Sequence, residues 1–156
     1  MKIPLLLGAG FAIGVAGFLL LRVSGAGAEP LAYKDPTITE LGKSLYDQEC
    51  AACHGANLEG QPDWRTRDAD GYLPAPPHDQ TGHTWHHPDA QLFEITKYGT
   101  EAVVGGDYRS NMMGFEEILT DDEIKAVLAY IKSTWPERIQ ERHDELNDAY
   151  EAATRP

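Results

Sequence analysis

Residues 50–54 read Cys50-Ala51-Ala52-Cys53-His54, and they hold the only two cysteines in a chain of 156 residues. Two cysteines three apart, with a histidine directly after the second, form the pattern of a c-type haem attachment site. On a helix, positions i, i+3 and i+4 share one face. One turn can then present two sulfurs to the haem vinyl groups and one imidazole to the iron. Two other readings of a Cys-x-x-Cys pair fit less well. A redox pair has no need of the trailing histidine, and a zinc site needs two further ligands at matching spacing. Cysteines held in thioethers leave no sulfur for a disulfide.

Upstream of the motif, Thr37-x-x-Glu40 has the form of a capping box and predicts a helix start near Thr37. Leu41, Leu45 and Tyr46 follow as an apolar stripe at helical spacing. Gly42 lies on the same side. A glycine inside a helix costs about 1 kcal/mol against alanine, so its presence points to close approach by another helix. Glu29 to Pro36 reads as a linker. Before it, Ile3 to Leu21 is free of charge for nineteen residues, and Ala26-Gly27-Ala28 has the form of a signal-peptidase site. A helix of that length would run about 28 Å, close to the thickness of the bilayer core. Residues 1–28 are therefore a cleaved signal peptide or an uncleaved membrane anchor. Under either reading the remainder of the chain is exported.

Downstream, His54 to Gln80 is rich in Gly, Pro and Asp and reads as loop. Asp68-Ala69-Asp70-Gly71 lacks the glycine and glutamate offsets of a calcium loop and reads as a turn. Leu73-Pro74-Ala75-Pro76-Pro77 is stiff extended chain, able to hold a carbonyl where His54 can donate its second ring N–H. His83, His86 and His87, with His78 nearby, have metal-ligand spacing. But Pro88 disfavours helix at His87 and no acid or cysteine completes the set, so they read as loop residues, with Trp85 packing near the haem edge. Pro88 fits the first turn of a helix running to about Tyr98, with Gly99 as its stop and Leu92, Phe93 and Ile95 facing inward. A loop carrying Asn111-Met112-Met113-Gly114-Phe115 follows. Thr120-x-x-Glu123 is a second capping box, and Ile124, Val127, Leu128 and Ile131 keep helical spacing up to Trp135. Beyond Pro136 a thin stripe of Ile139, His143, Leu146 and Tyr150 predicts either a peripheral helix over 136–152 or a solvated tail.

The chain carries 25 acidic and 13 basic side chains, for a net charge of −12. That argues against nucleic acid and anionic membrane surfaces as partners, and it suits either a generally acidic solvated surface or docking with a basic protein partner.

Over about residues 37–135 the sequence resembles a class I monohaem cytochrome c. The likeness rests on Cys50-x-x-Cys53-His54-Gly55, the proline segment, the Met-Gly-Phe loop and the last helix with Val127 and Tyr130. It implies an all-α fold wrapped on one covalently bound haem c, with an apolar N-terminal helix and an extra C-terminal helix over 136–156 as additions. Carried over by residue, Cys50 and Cys53 form the thioethers and His54 is the proximal iron ligand. Pro76 resembles the proline whose carbonyl steadies that histidine. His78 stands where the family usually has an aliphatic residue against the haem. Met112 matches the distal ligand. Met113 stands where many members have proline and is a rival for that role, and bis-His ligation through His78, His83 or His86 is a further alternative.

Two protein ligands on the iron leave no position for a substrate, so the expected role is an electron carrier and not an enzyme. It would serve redox protein partners on the periplasmic side of the bacterial cytoplasmic membrane, attached through residues 3–21 if these are retained. The alternatives are a haem c subunit of a larger membrane oxidoreductase and a ligand-binding or peroxidatic haem protein.

Overall fold

A computed structural model describes residues 30–155. The segment read as signal peptide or anchor lies outside the described residues. Among the described residues there are six α-helices, one 3₁₀ turn and no strand, as the all-α reading expects. No helix among them is long and apolar enough to cross a membrane.

The first helix, α1, spans Pro36–Glu49. Its cap is not the Thr37–Glu40 box. Asp35 is the N-cap and accepts a hydrogen bond from Thr37 N at 2.8 Å, while Pro36 occupies the first helical position. Proline there has its φ already set and lacks only an N–H that would have no partner, so the start shifts one residue upstream of the expected site. Leu41 is 44% exposed and not part of the core. The buried line of α1 is Gly42 and Tyr46, and Leu41, a residue earlier, is turned about 100° away from it.

That buried line meets α5, Asp121–Ser133. A Cβ added at Gly42 would lie 1.9 Å from the Ala126 carbonyl oxygen and 2.9 Å from Tyr130 Cβ, so the two backbones touch where the sequence predicted a close approach. One turn on, the Tyr46 and Tyr130 rings pack with centroids 5.5 Å apart. The start of α5 is the expected reciprocal box: Thr120 Oγ1 accepts from Glu123 N, and Glu123 Oε2 accepts from Thr120 N at 2.8 Å. Ile124, Val127, Leu128 and Ile131 are all buried. Ala126, Ala129 and Lys132 are buried too, so α5 is covered on more than one side.

Between these helices lie α2 (Ala51–His54), the 3₁₀ turn Thr84–His86, α3 (Asp89–Tyr98) and α4 (Thr100–Val104). Pro88 caps α3 instead of filling its first turn, and Gly99 ends it as expected. Leu92 is buried, with Phe93 packed beside it. The short α4 falls in a stretch read as loop. Five residues give too little periodicity to register in a sequence pattern.

The last helix, α6, spans Glu137–Thr154 and packs on the domain. Ile139 and His143 are buried, and Tyr150 is exposed. Its anchorage is polar. Asp144 accepts from Lys132 Nζ at 2.6 Å and from Tyr33 Oη at 2.8 Å. Asn147 accepts from Asp89 N at 2.7 Å, and His143 Nε2 donates to the His87 carbonyl at 2.8 Å. Lys132 is only 1% exposed, so Asp144 neutralises a charge that has left water. With Leu31 buried in the core as well, the stretch before α1 is packed down and is not a free linker.

Two outcomes test these contacts. Gly42→Ala gains about 1 kcal/mol of helix propensity but forces α1 off α5. A net loss of about 2 kcal/mol or more is expected, read as a lower thermal midpoint by circular dichroism. Burial works to raise the Asp144 carboxyl, but the hydrogen bonds from Lys132 and Tyr33 outweigh it and hold the group below the ordinary aspartate range. Its contribution is therefore complete above about pH 4 and lost as the pH falls through the lower folded value. Asp144→Asn should remove this part of the acid dependence in unfolding curves taken between neutral pH and pH 2.

Candidate functional site

The motif sits where α1 gives way to α2. Cys50 is the residue between them, with αR backbone angles, and its carbonyl accepts from Cys53 N at 3.1 Å and His54 N at 2.9 Å. Those bonds make one turn of the three residues and put them on one side, as the spacing requires. Gly55 ends the turn, and its carbonyl accepts from the buried Tyr46 hydroxyl at 3.0 Å. Through Tyr46, the α1–α5 crossing thus holds the end of the motif.

From Gly55 the chain folds back on the proline segment. Gln61 N donates to the Ala75 carbonyl and His78 N to the Leu58 carbonyl, both at 2.8 Å. Gly60 lets the two backbones meet, because a Cβ there would lie 2.4 Å from Pro77 N. Leu58 pays for its place with a left-handed φ of 67° while buried, a conformation that costs about 1 kcal/mol or more outside glycine. The result is a 2.8 Å hydrogen bond between His54 Nδ1 and the Pro76 carbonyl oxygen. A carbonyl only accepts, so Nδ1 carries the proton and the neutral ring keeps a bare lone pair on Nε2. Burial pushes His54 below the ordinary histidine range, and the Pro76 carbonyl works the other way. The ring is therefore neutral at pH 7, the form in which it can donate that lone pair to a metal.

The two sulfurs differ. Cys53 is exposed and Cys50 partly buried. Burial, with Glu49 and Cys53 adding to it, pushes the Cys50 thiol up to about 11. A disulfide-exchanging pair needs a lowered thiol, so these surroundings do not suit a redox Cys-x-x-Cys.

The methionine loop is fastened to the end of α3. Thr100 N donates to the Met112 carbonyl at 3.3 Å, and Phe115 N to the Thr96 and Lys97 carbonyls at 3.1 and 3.0 Å. Met112 is partly buried against the core, whereas Met113 is 58% exposed. The two side chains thus part company, and Met112 is the one turned inward. A cavity of about 730 Å³ opens beside them, lined by Tyr98, Tyr108, Met112 and Met113 among others.

Trp85 lies on the 3₁₀ turn, partly buried against the core, and its Nε1 is buried with no hydrogen-bond partner. The histidines near it pack against aromatic rings, and His83 and His87 meet edge-on with centroids 5.3 Å apart. His83 stacks on Trp64 with centroids 5.3 Å apart, and His86 stacks on Trp85 at 3.7 Å. His87 is extended, as the following proline requires. Among the described residues no group of three His, Cys, Asp or Glu is placed to hold a metal ion. His78 lies against His54, with ring centroids 4.0 Å apart. A ring alongside His54 is not across an iron from it, which disfavours His78 as a second axial ligand.

Sequence reasoning missed three supports of this site. Thr84 is buried with Oγ1 2.9 Å from His78 Nδ1. Trp135 Nε1 donates to the His78 carbonyl at 2.8 Å, and His143 grips the His87 carbonyl from α6. Only the apolar stripe of α6, which includes His143, hinted at any of them.

The chain matches the family model described as Cytochrome c over residues 39–135. It is also similar to a protein named Nitrite reductase from Stutzerimonas stutzeri, at 31% identity over 128 residues that cover 77% of this chain and 20% of that protein. The chain thus spans about a fifth of the length of this relative. No solved structure matches it significantly.

The unpartnered Trp85 Nε1 offers a test. A buried donor without an acceptor is replaced by an apolar ring at no loss, whereas one that meets an acceptor on a bound group loses about 1 kcal/mol or more. In the haem-loaded protein Trp85→Phe is expected to lower stability by that amount in denaturant unfolding. An unchanged or raised midpoint would mean that Nε1 has no acceptor there.

Proposed function

This chain belongs to the cytochrome c family, and we propose that it carries single electrons between protein partners on the outer side of the cytoplasmic membrane, through one haem c held by Cys50 and Cys53. The residues present fit that group. His54 has its Nδ1 engaged by Pro76 and its Nε2 lone pair free, on the same turn as two free thiols. This is the observation that carries the reading. Trp85 Nε1 adds a buried donor still in want of an acceptor.

When bound, the haem supplies one-electron cycling of its iron between the ferric and ferrous states. His54 and Met112 would be its two protein donors, and with both engaged no position would be left for a substrate. With a methionine sulfur and a neutral imidazole as its two donors, the iron would favour the ferrous state and a raised potential. The net charge of −12 favours a basic partner, docked transiently over a small area. Export to the outer side rests on the signal-like or anchor-like reading of residues 1–28.

A second reading, a haem c subunit of a larger oxidoreductase, draws support from the relative of which this chain spans a fifth. Co-purification with a membrane complex distinguishes it from a free carrier.

Optical spectra of the oxidised and reduced protein test the main reading. The pigment should resist acidified acetone in the wild type and be extracted when Cys50 and Cys53 are both changed to Ser. Met112→Ala should abolish the methionine-to-iron charge-transfer absorption, and Met113→Ala should leave it. A colourless wild type, or the reverse result for the two methionines, would overturn the corresponding assignment.

A further inference from the structure

The placement of His78 goes beyond what wall-filling requires. Its ring lies over His54 with centroids 4.0 Å apart and planes inclined by 31°. Thr84 Oγ1 holds Nδ1 at 2.9 Å, and Thr84 is itself buried. On the backbone, His78 N donates to the Leu58 carbonyl, and the His78 carbonyl accepts from Trp135 Nε1, each at 2.8 Å. Tyr46 meets the ring edge-on, with centroids 6.1 Å apart. Side chains or backbone from the loop after the motif, α1, the 3₁₀ turn and the residues just after α5 thus converge on one residue, and Thr84, Tyr46 and His54 meet its ring.

The His54 ring turns about its Cβ–Cγ bond, and the hydrogen bond to Pro76 is one restraint on that torsion. A second ring in face contact blocks that rotation. The same ring brings a dipole to the surroundings of the ligand, where a hydrocarbon would bring none. Polar surroundings favour the more highly charged, ferric state of an iron, as apolar ones favour the ferrous.

We propose that His78 is a positioning residue for the proximal ligand: it fixes the plane of the His54 ring and keeps the reduction potential lower than a hydrocarbon at the same place would. The proposal rests on His54 as an iron ligand. It assigns Thr84 the task of holding the His78 ring in register.

The test compares the haem-loaded wild type with His78→Leu and Thr84→Val. Midpoint potentials come from spectroelectrochemical titration, and ligand-plane orientation from the electron paramagnetic resonance of the oxidised forms. The midpoint is expected to rise in His78→Leu and to rise by less in Thr84→Val, and the ferric g-values are expected to move in both. An unchanged or lowered midpoint in both variants, with haem and methionine ligation intact, overturns the proposal while leaving the electron-carrier reading in place. Should His78→Leu not fold, Thr84→Val decides alone by the same criterion. A wild type without covalent haem overturns both readings together.

Discussion

The hydrogen bond from His54 Nδ1 to the Pro76 carbonyl is the constraint on which the site depends. It joins the turn that carries the sulfurs to a proline-stiffened stretch and selects the tautomer of the ring. It also requires the intervening loop to double back, with a left-handed Leu58 and a glycine where Pro77 passes. Proline suits the acceptor role: it has no N–H of its own to satisfy, and its fixed φ holds the carbonyl still. Strain is tolerated at Leu58 because its carbonyl receives the N–H groups of both His78 and Asp79.

Around this centre several supporting contacts are polar. The buried Lys132 is neutralised by a half-exposed Asp144, and the same carboxylate receives the Tyr33 hydroxyl from the stretch before α1. His143 donates from Nε2 to the His87 carbonyl, which leaves Nδ1 facing Asp89 Oδ1 at 3.7 Å, too far for a hydrogen bond. Both atoms are buried without a partner. Such groups destabilise by about 1–3 kcal/mol each. They are held in place by Trp135 packed edge-on to His143 and by Asn147 on the Asp89 backbone. Thus α6, outside the stretch that matches the family, braces the segment from which Trp85 and α3 are hung.

Much of this was legible in advance. Periodicity and the Thr120–Glu123 box located α5, and Gly42 announced the helix crossing because glycine inside a helix needs a packing reason. The haem motif and the proline segment could be read from residue type and spacing alone. What escaped was of two kinds. Local competition moved the start of α1, where Asp35 and Pro36 together outdo a Thr37–Glu40 box, and α4 was too short to leave a pattern. Long-range pairing hid the rest. Nothing near His78 in the sequence points to Thr84 as the holder of its ring, or to Trp135, far along the chain, as the donor to its carbonyl.

Every group assigned to the site, from Cys50 to Met112, lies on the stretch of chain between Gly42 and Ala126. Contact between those two positions therefore works as a clasp on a single long loop, and the whole site hangs inside that loop. Prise the clasp open and the sulfur-bearing turn, the proline stretch and the methionine segment lose their common frame in one event. Integrity of the site is then tied to two helices meeting at a point where no side chain fits, with Trp135 and His143 bracing it from outside the loop.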